Sequence, residues 1–328
     1  MDLPSTYHYQ GWDIRYRLAS SKDPATTTPS GNPKQPRPVV FVHGTPWSSA
    51  VFRPLIEALL TKGPYRILVY DLPGYGQSQN FDSRSSEAVS KNGFAGDTSV
   101  AFQAQALTAL LKETQLDGKD GHPAPAVLAH DIAGTVVLRA HLLHDCEFDT
   151  MLLVDTNAVL PWGDGFYKLA RSNPQTFVDL PAKVFEAVVR AVTRSACHNP
   201  KVLQTGWEDV IAGPWIGSPS ESPEAGNKRQ RSFVRQIAQA NDADVAEMLE
   251  GGMYARVRCD VKIVSGAEDQ WIPREKIEGL IMQLGSRMKE SAFIPNAGHL
   301  VMLDQPERFA VEVFDWLMRY GEHRAIST

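Results

Sequence analysis

The sequence contains little cysteine, no concentrated block of positive charge and no long hydrophobic run. There are three cysteines among 328 residues, and their odd number and irregular spacing match neither a disulfide framework nor a metal site. We therefore expect Cys146, Cys197 and Cys259 to be reduced structural thiols, and we expect no bound metal. The 33 Lys and Arg residues and 38 Asp and Glu residues give a net charge of −5. Without a basic patch, nucleic acid is not an expected partner.

The hydrophobic segments are too short to cross a bilayer, because the longest apolar runs have the length of a strand. The polar first residues, Met1 to Thr6, carry no signal-peptide pattern, and no Asn begins an Asn-x-Ser/Thr acceptor site. A cytoplasmic protein with no membrane partner is therefore expected. The length of 328 residues predicts one large α/β domain with an inserted subdomain.

The most informative segment lies near the middle of the chain. Residues 130–134, with the sequence His-Asp-Ile-Ala-Gly, follow the apolar residues 126–129 and precede a helix-like stretch at 135–144. A strand, a sharp turn with small residues and a helix are typical of a nucleophile elbow, in which the apex residue is exposed for attack. Asp131 occupies the apex. The alternative interpretation is a buried Asp that caps the following helix.

An aspartate at the apex favours a different reaction from a serine. A serine attacks a carbonyl carbon and forms an acyl-enzyme, whereas a carboxylate attacking the same carbon would form a reactive anhydride. Attack on an sp3 carbon with a leaving group, or on a strained epoxide, gives an ordinary alkyl ester that water can cleave. The residue type therefore points to cleavage of a C–O or C–halogen bond.

Two partners for such a nucleophile follow in the expected chain order. Residues 261–266 predict a buried strand, and Asp269 comes shortly after its end. A second strand is predicted at 291–295, and His299 lies on the loop between it and the last predicted helix, 306–320. In the order nucleophile, acid, histidine, His299 is the candidate general base and Asp269 the group that orients it.

An oxyanion hole is predicted from the loop after the first buried strand, residues 38–42. This strand ends in His43-Gly44-Thr45-Pro46, and the backbone N–H groups of Thr45 and Ile132 are suited to stabilise a developing oxyanion. The next strand, 66–70, runs into a turn at 71–78 that contains only part of a dinucleotide fingerprint. No cofactor is therefore expected.

The order of elements predicts an α/β fold with a helical insertion. Strands alternate with helices up to about residue 160, which indicates a parallel sheet with right-handed crossovers. No strands are predicted between residues 161 and 258. Helical patterns occur there at 166–172, 181–195, 202–212 and 227–239. We therefore expect a core of residues 1–160 and 259–328 and a helical cap of residues 161–258 that excludes water from the site.

Together these segments resemble the α/β-hydrolase superfamily over nearly the whole chain. Residues 43–46 and 71–78 are similar to the HGxP and DxPGxGxS motifs of the branch that contains epoxide hydrolases, haloalkane dehalogenases and haloacetate dehalogenases. His130-Asp131 matches the aspartate elbow of that branch. The resemblance implies an α/β-hydrolase fold, a mostly parallel sheet flanked by helices with an inserted cap, and a triad of Asp131, Asp269 and His299.

The sequence departs from each member of this branch at positions that contact the leaving group. Epoxide hydrolases carry two cap tyrosines, for which Tyr167 and Tyr254 are the candidates here. Haloalkane dehalogenases usually place Trp after the nucleophile, where this chain has Ile132, so Trp47 or Trp162 would have to hold the halide. The arginines that clamp the substrate of haloacetate dehalogenases are missing beside the nucleophile.

One ambiguity concerns the acid that orients His299. Some haloalkane dehalogenases place it after the strand that follows the elbow helix, where this chain has Asp155. Asp269 is favoured because its turn has the usual form, and Asp155 is the possible alternative acid.

The sequence thus predicts a cofactor-independent hydrolase, most like an epoxide hydrolase that converts an apolar epoxide into a diol. The expected partners are a small apolar organic substrate and water, and the oligomeric state, monomer or homodimer, is left open. The alternatives are a haloalkane dehalogenase-like hydrolase, a non-hydrolytic lyase or cyclase on the same scaffold, and a ligand sensor without catalysis.

Overall fold

An eight-stranded sheet forms the centre of the computed structural model, which describes residues 1–21, 36–85, 90–163, 165–217 and 220–320. The strands are β1 (Ser5–Tyr9), β2 (Trp12–Ser20), β3 (Arg37–Val42), β4 (Tyr65–Tyr70), β5 (Ser90–Lys91), β6 (Phe94–Ala95), β7 (Ala126–His130), β8 (Thr150–Val154), β9 (Asp260–Gly266) and β10 (Met288–Ile294). Strands β5 and β6 form a small antiparallel pair outside this sheet.

The strand order in the sheet is β1-β2-β4-β3-β7-β8-β9-β10. The pairs β1–β2 and β2–β4 are antiparallel, and all the other neighbouring pairs are parallel. Strands β7 and β8 are buried along their whole length, and β3, β4 and β9 along most of it. Such apolar strands are expected where helices cover both faces of a parallel sheet. The predicted fold class is therefore confirmed.

The helices connect the strands and cover the sheet. They are α1 (Arg53–Lys62), α2 (Val100–Glu113), α3 (Ile132–Leu143), α4 (Gly165–Ser172), α5 (Pro174–Val178), α6 (Ala182–Ser195), α7 (Trp207–Ala212), α8 (Pro223–Gln239), α9 (Ala243–Glu250), α10 (Arg274–Leu284), α11 (Val301–Asp304) and α12 (Pro306–Arg319). Short 3-10 turns occur at Ser49–Phe52, Pro200–Thr205, Met253–Arg256 and Gly285–Arg287.

The structure differs from the sequence prediction mainly between β8 and β9. The helix predicted at 202–212 is divided into the 3-10 turn Pro200–Thr205 and α7, because Gly206 between them has a left-handed φ of 98°. The helices α5 and α9 were not predicted, and α5, with five residues, is too short for a helical period to stand out. The composition also predicts exposed loops at residues 20–38 and 80–96, of which residues 22–35 and 86–89 lie outside the described residues.

The helical segment between β8 and β9 contacts the loops that follow β3 and β4. The Trp215 Nε1–H donates to the carbonyl of Pro46 at 2.6 Å. On α8, the Ser232 hydroxyl donates to the carbonyl of Gly74 at 3.1 Å. This segment therefore covers the carboxyl edge of the sheet, as a cap would, and the division into separate domains at residues 161 and 258 stays a prediction.

The carboxyl edge of the sheet gathers the residues that the sequence singled out. Thr45 follows β3, Asp131 follows β7, Asp269 follows β9 and His299 follows β10. Because parallel strands end at the same edge, these residues come together although they are far apart in the chain.

Within the described ranges, no helix combines the length and the apolar character needed to span a membrane. The three cysteines are all buried, at positions 146, 197 and 259. Burial raises the pKa of the Cys146 thiol to about 11, so this thiol stays protonated at neutral pH.

Gly266, the last residue of β9, lies where the segment leading to Asp269 passes the loop that carries His299. A Cβ atom at this position would lie 2.2 Å from the carbonyl oxygen of Gly298 and 2.5 Å from that of Ala297. These backbone atoms cannot yield without displacing the loop. We expect Gly266→Ala to lower the free energy of unfolding by about 1–3 kcal/mol, measured by urea denaturation.

Gly279→Ala provides the matched control, because Gly279 lies inside α10 and a Cβ atom there would meet no atom within 4 Å. This substitution is expected to raise the free energy of unfolding by about 0.5–1 kcal/mol. A Gly266→Ala protein as stable as the unsubstituted chain would contradict the close approach of the two loops.

Candidate active site

Asp131 lies on a sharp turn between β7 and α3. Its backbone has φ 56° and ψ −124°, a strained conformation for a residue other than glycine. Two backbone hydrogen bonds hold the turn, one from Asp131 N–H to Val154 O (2.9 Å) and one from Gly134 N–H to Asp131 O (3.1 Å). The residue is only 3 % exposed. The predicted strand, turn and helix are all present, and they direct this carboxylate to the carboxyl edge of the sheet.

The Asp131 carboxylate accepts backbone hydrogen bonds from two segments of the chain. Thr45 N–H donates to Oδ2 at 2.9 Å, and Ile132 N–H also donates to the carboxylate. Gly44 permits this approach, because a Cβ atom there would lie 2.5 Å from Asp131 Cβ. The two N–H groups predicted to form an oxyanion hole thus converge on one side chain.

His299 faces the same carboxylate from the loop after β10. Its Nδ1 is 2.9 Å from Asp269 Oδ2, and its Nε2 is 3.8 Å from Asp131 Oδ1. The second oxygen of Asp269, Oδ1, accepts from the N–H groups of Trp271 (2.7 Å) and Ile272 (3.1 Å). The backbone of its own loop therefore fixes Asp269, and Asp269 orients the imidazole. Among the described residues His299 Nε2 has no hydrogen-bond partner.

Two further rings hold His299 in place. His130 Nε2 is 2.8 Å from the backbone oxygen of His299 and donates to it. The Trp271 ring stacks on the imidazole, with centroids 4.9 Å apart and planes 24° apart. Burial, followed by the charge of His299, places the pKa of His130 well below its ordinary value, so His130 is neutral.

Asp155 lies beside the triad but does not contact His299 through a hydrogen bond. Its Oδ1 accepts from the Ser265 hydroxyl and the Gly266 N–H, both at 2.8 Å. Burial, and after it the charge of Asp269, raises the pKa of Asp155 well above its ordinary value. The structure thus places Asp269, not the alternative acid Asp155, on the imidazole.

The charges of the site depend on one another. Burial by itself lowers the pKa of His299, but the carboxylates of Asp269, Asp131 and Asp155 together outweigh it and raise that pKa to about 9. Burial raises the pKa of Asp131 to about 6, against the opposing effects of His299 and of the Thr45 and Ile132 N–H groups. At neutral pH the site therefore holds an ionised Asp131 opposite an imidazolium.

A cavity opens above Asp131, and its volume accessible to water-sized molecules is about 40 Å³. This is room for about three water molecules, so a substrate of a few heavy atoms fits without side-chain movement. The lining combines aromatic and aliphatic side chains with a few polar ones. It consists of Thr45, Asp131, Ile132, Asn157, Trp162, Gly163, Tyr167, Arg171, Gln236, Ile237, Ala240, Trp271 and Ile272.

Two of the four predicted leaving-group contacts line this cavity, Tyr167 and Trp162. The Trp162 indole N–H, however, donates to the backbone oxygen of Asn157 at 2.8 Å. Tyr254 is a correction to the sequence prediction, because it is absent from the lining, is 1 % exposed and donates its hydroxyl to Ala158 O at 2.7 Å. Trp47 is also absent from the lining and stacks behind Trp271, with centroids 5.5 Å apart.

The sequence interpretation missed eight lining residues, and four of them have side chains that can form hydrogen bonds: Asn157, Arg171, Gln236 and Trp271. Asn157 and Trp271 follow β8 and β9 closely, and their position at the carboxyl ends of strands was a usable signal. Arg171 and Gln236 lie on α4 and α8, where no motif distinguishes them from other polar helix residues. In the part of the chain that the structure describes, no three His, Cys, Asp or Glu side chains are arranged to hold a metal ion.

Titration of the His299 imidazole tests these charges directly. Asp269→Asn removes the carboxylate that contributes most to the raised pKa, so the pKa of His299 should fall from about 9 by about one pH unit or more. NMR of the histidine ring nitrogens measures this pKa. Asp155→Asn is the comparison, and its effect should be smaller because Asp155 contributes least. A larger fall with Asp155→Asn than with Asp269→Asn would contradict the assignment.

Comparisons with known proteins agree with this architecture. The family model of the alpha/beta hydrolase family matches residues 39–313. No curated protein matches the sequence. The chain is similar to an alpha/beta hydrolase fold protein from Burkholderia ambifaria, with 29% identity, coverage of 96% of this chain and 98% of that one, and a TM-score of 0.74.

Two more distant solved structures share the fold. A thermophilic esterase from Thermogutta terrifontis is 18% identical, with coverage of 94% of this chain and 95% of that one and a TM-score of 0.65. The epoxide hydrolase CorEH is 16% identical, with coverage of 96% of this chain and 98% of that one and a TM-score of 0.65. The matched family model covers most of the sequence, and the chain therefore belongs to the alpha/beta hydrolase family.

Proposed function

We propose that this hydrolase opens a small epoxide through an ester formed at Asp131 and releases a diol. The observation that carries the proposal is that the two oxygens of Asp131 have different neighbours. Oδ2 accepts from Thr45 N–H, whereas Oδ1 is the oxygen nearest His299 Nε2, at 3.8 Å. Asp131 itself lines the cavity. A carboxylate held in this way presents one oxygen for attack and keeps the other where negative charge later develops.

In the first step Asp131 Oδ1 bonds to an epoxide carbon. The carbon–oxygen bond of the ring breaks, and its electron pair stays on the departing oxygen. That oxygen takes a proton from the Tyr167 hydroxyl, which lines the cavity and becomes a phenolate. The product of this step is an alkyl ester of Asp131 with a neighbouring hydroxyl group.

Formation of the ester prepares His299 for the second step. The negative charge of Asp131, which helps to raise the pKa of His299, disappears when the carboxylate is esterified. The imidazolium then releases its extra proton, which restores the Tyr167 hydroxyl. The neutral imidazole, oriented by Asp269 at 2.9 Å, is then a base.

In the second step His299 Nε2 takes a proton from water, and the hydroxide adds to the Asp131 carbonyl carbon. The carbonyl electron pair moves to Oδ2, where the Thr45 N–H stabilises it, and the Ile132 N–H also donates to this carboxyl group. Collapse breaks the bond between this carbon and the alkyl oxygen, which takes the proton of the new Asp131 carboxyl group. The diol leaves, and the carboxylate and imidazolium are restored.

The polar groups around the cavity support an epoxide more than a haloalkane. A departing epoxide oxygen takes up a proton, for which the Tyr167 hydroxyl on the lining is the source, whereas a departing halide takes none and depends on N–H donors alone. The indole N–H of Trp162 is bonded to Asn157 O (2.8 Å) and that of Trp271 to the Ser195 hydroxyl (3.2 Å). Ile132, next to the nucleophile, has no side-chain donor.

Replacement of the nucleophile and the base separates the two steps. Asp131→Ala should reduce turnover of a compact epoxide by at least about 10³-fold. His299→Gln should retain attack but not ester cleavage, so the peptide containing Asp131 gains the mass of one substrate molecule. Mass spectrometry of the digested protein detects this adduct. Full activity in either variant would refute the proposal.

A single turnover in heavy-oxygen water provides the internal control for the ester route. Because water attacks the Asp131 carbonyl carbon, the label should enter Asp131, and the diol of the first turnover should stay unlabelled. Label in the first diol would indicate direct attack of water on the epoxide. A turnover without any adduct would instead favour the non-hydrolytic lyase or cyclase interpretation.

The dehalogenase alternative has its own test. With 1-bromobutane as substrate, the wild-type protein should release bromide at least about 100-fold more slowly than it opens 1,2-epoxybutane, because protonation of a leaving group by a general acid contributes about 10²- to 10⁴-fold in rate and a departing bromide takes up no proton. Bromide release is measured by ion chromatography. Comparable rates for the two substrates would favour a dehalogenase.

A further inference from the structure

In-line attack by Asp131 determines where the departing oxygen must lie. Displacement at carbon places the nucleophile and the leaving group on opposite sides of the reacting carbon. Asp131 is at the core side of the cavity, after β7. The departing oxygen therefore points towards α4 and α8, which contribute Tyr167, Arg171 and Gln236 to the lining.

Gln236 offers an uncommitted donor on that side. Its side chain is buried, at 2 % exposure, and among the described residues its Nε2 has no hydrogen-bond partner. Its other end is fully engaged: Oε1 accepts from the Tyr75 hydroxyl at 2.8 Å and from the Thr45 hydroxyl. Two hydroxyls thus fix the carboxamide and leave the NH₂ group unpaired. A buried donor without an acceptor costs free energy, which a ligand oxygen would recover.

The other strong donors near α4 and α8 are already committed. Arg171 donates through Nη1 to Ala240 O (2.9 Å) and Asp242 Oδ1 (3.1 Å), and through Nη2 to Trp162 O (3.3 Å). The Trp162 indole is bonded to Asn157 O. Among the lining side chains of these two helices, we therefore expect Gln236 and Tyr167 to donate a hydrogen bond to the departing oxygen.

We propose that Gln236 is a catalytic residue whose Nε2–H binds the departing oxygen of the epoxide, an inference that rests on the proposed function. A carboxamide does not give up a proton at neutral pH, so its role is to stabilise the negative charge while the ring opens. The proton itself comes from Tyr167, as in the first step above. Tyr75 is a positioning residue, because its hydroxyl holds Oε1 and so fixes the orientation of the carboxamide.

The test measures ester formation separately from ester cleavage. The His299→Gln background stops the reaction at the ester, and rapid quenching with 1,2-epoxybutane gives the rate of adduct formation at Asp131. Gln236→Leu removes the donor and should slow this rate by about 10- to 100-fold. Gln236→Glu keeps the acceptor for Tyr75 and Thr45 but presents a carboxylate to the developing alkoxide, and should slow it further.

Two variants separate this role from a structural one. Tyr75→Phe should slow ester formation less than Gln236→Leu, since it releases the carboxamide without removing it. Gln230→Leu is the matched control on α8, where Gln230 binds the carbonyls of Phe177, Val178 and Leu180 outside the cavity. It should lower the melting temperature but leave the rate of ester formation within about twofold, well below the effect of a lost catalytic donor.

The outcomes distinguish this inference from the proposed function. Adduct formation at the unsubstituted rate in both Gln236→Leu and Gln236→Glu overturns the inference and leaves the ester mechanism intact. An equal loss of rate in Gln230→Leu and Gln236→Leu also overturns it, because the loss then reflects the packing of α8. Absence of any adduct with Gln236 in place overturns the proposed function together with the inference.

Discussion

The hydrogen bond from Thr45 N–H to Asp131 Oδ2 is the contact on which the rest of the site depends. It requires a strained backbone at Asp131, with φ 56°, and a glycine at position 44, where a Cβ atom would lie 2.5 Å from Asp131 Cβ. Because this bond fixes one oxygen, the other oxygen is the one that faces His299. The loops after β3 and β7 therefore decide which atom of the carboxylate faces His299, the atom that attacks in the proposed mechanism.

Burial of three carboxylates around one imidazole is the second constraint. Asp131, Asp155 and Asp269 all contribute to the raised pKa of His299, which is about 9. An imidazolium is a poor base, and the arrangement is productive only if one of these negative charges is removed during the reaction. Esterification of Asp131 in the proposed mechanism would do so. In that mechanism the charges that keep His299 protonated in the resting site link its basicity to the presence of the ester.

The helical segment between β8 and β9 completes the cavity from the opposite side. It supplies aromatic walls and the buried carboxamide of Gln236, and it is joined to the core by hydrogen bonds such as that from Trp215 Nε1–H to Pro46 O. The direct bond between Gln236 and the Thr45 hydroxyl is notable because Thr45 also holds Asp131 through its backbone. One residue of the β3 loop therefore contacts both the nucleophile and the residue proposed to bind the leaving group.

The sequence by itself determined the sheet, the elbow at Asp131 and the order of Asp269 and His299, because apolar runs, glycines and polar residues at strand ends are local features. It left open which acid orients His299, and it predicted Tyr254 at the cavity, whereas its hydroxyl is bonded to Ala158 O. Only the tertiary structure decided these points and revealed Gln236. The sequence of a helix does not show which of its polar side chains will face a cavity. That is decided when the helix packs against the sheet.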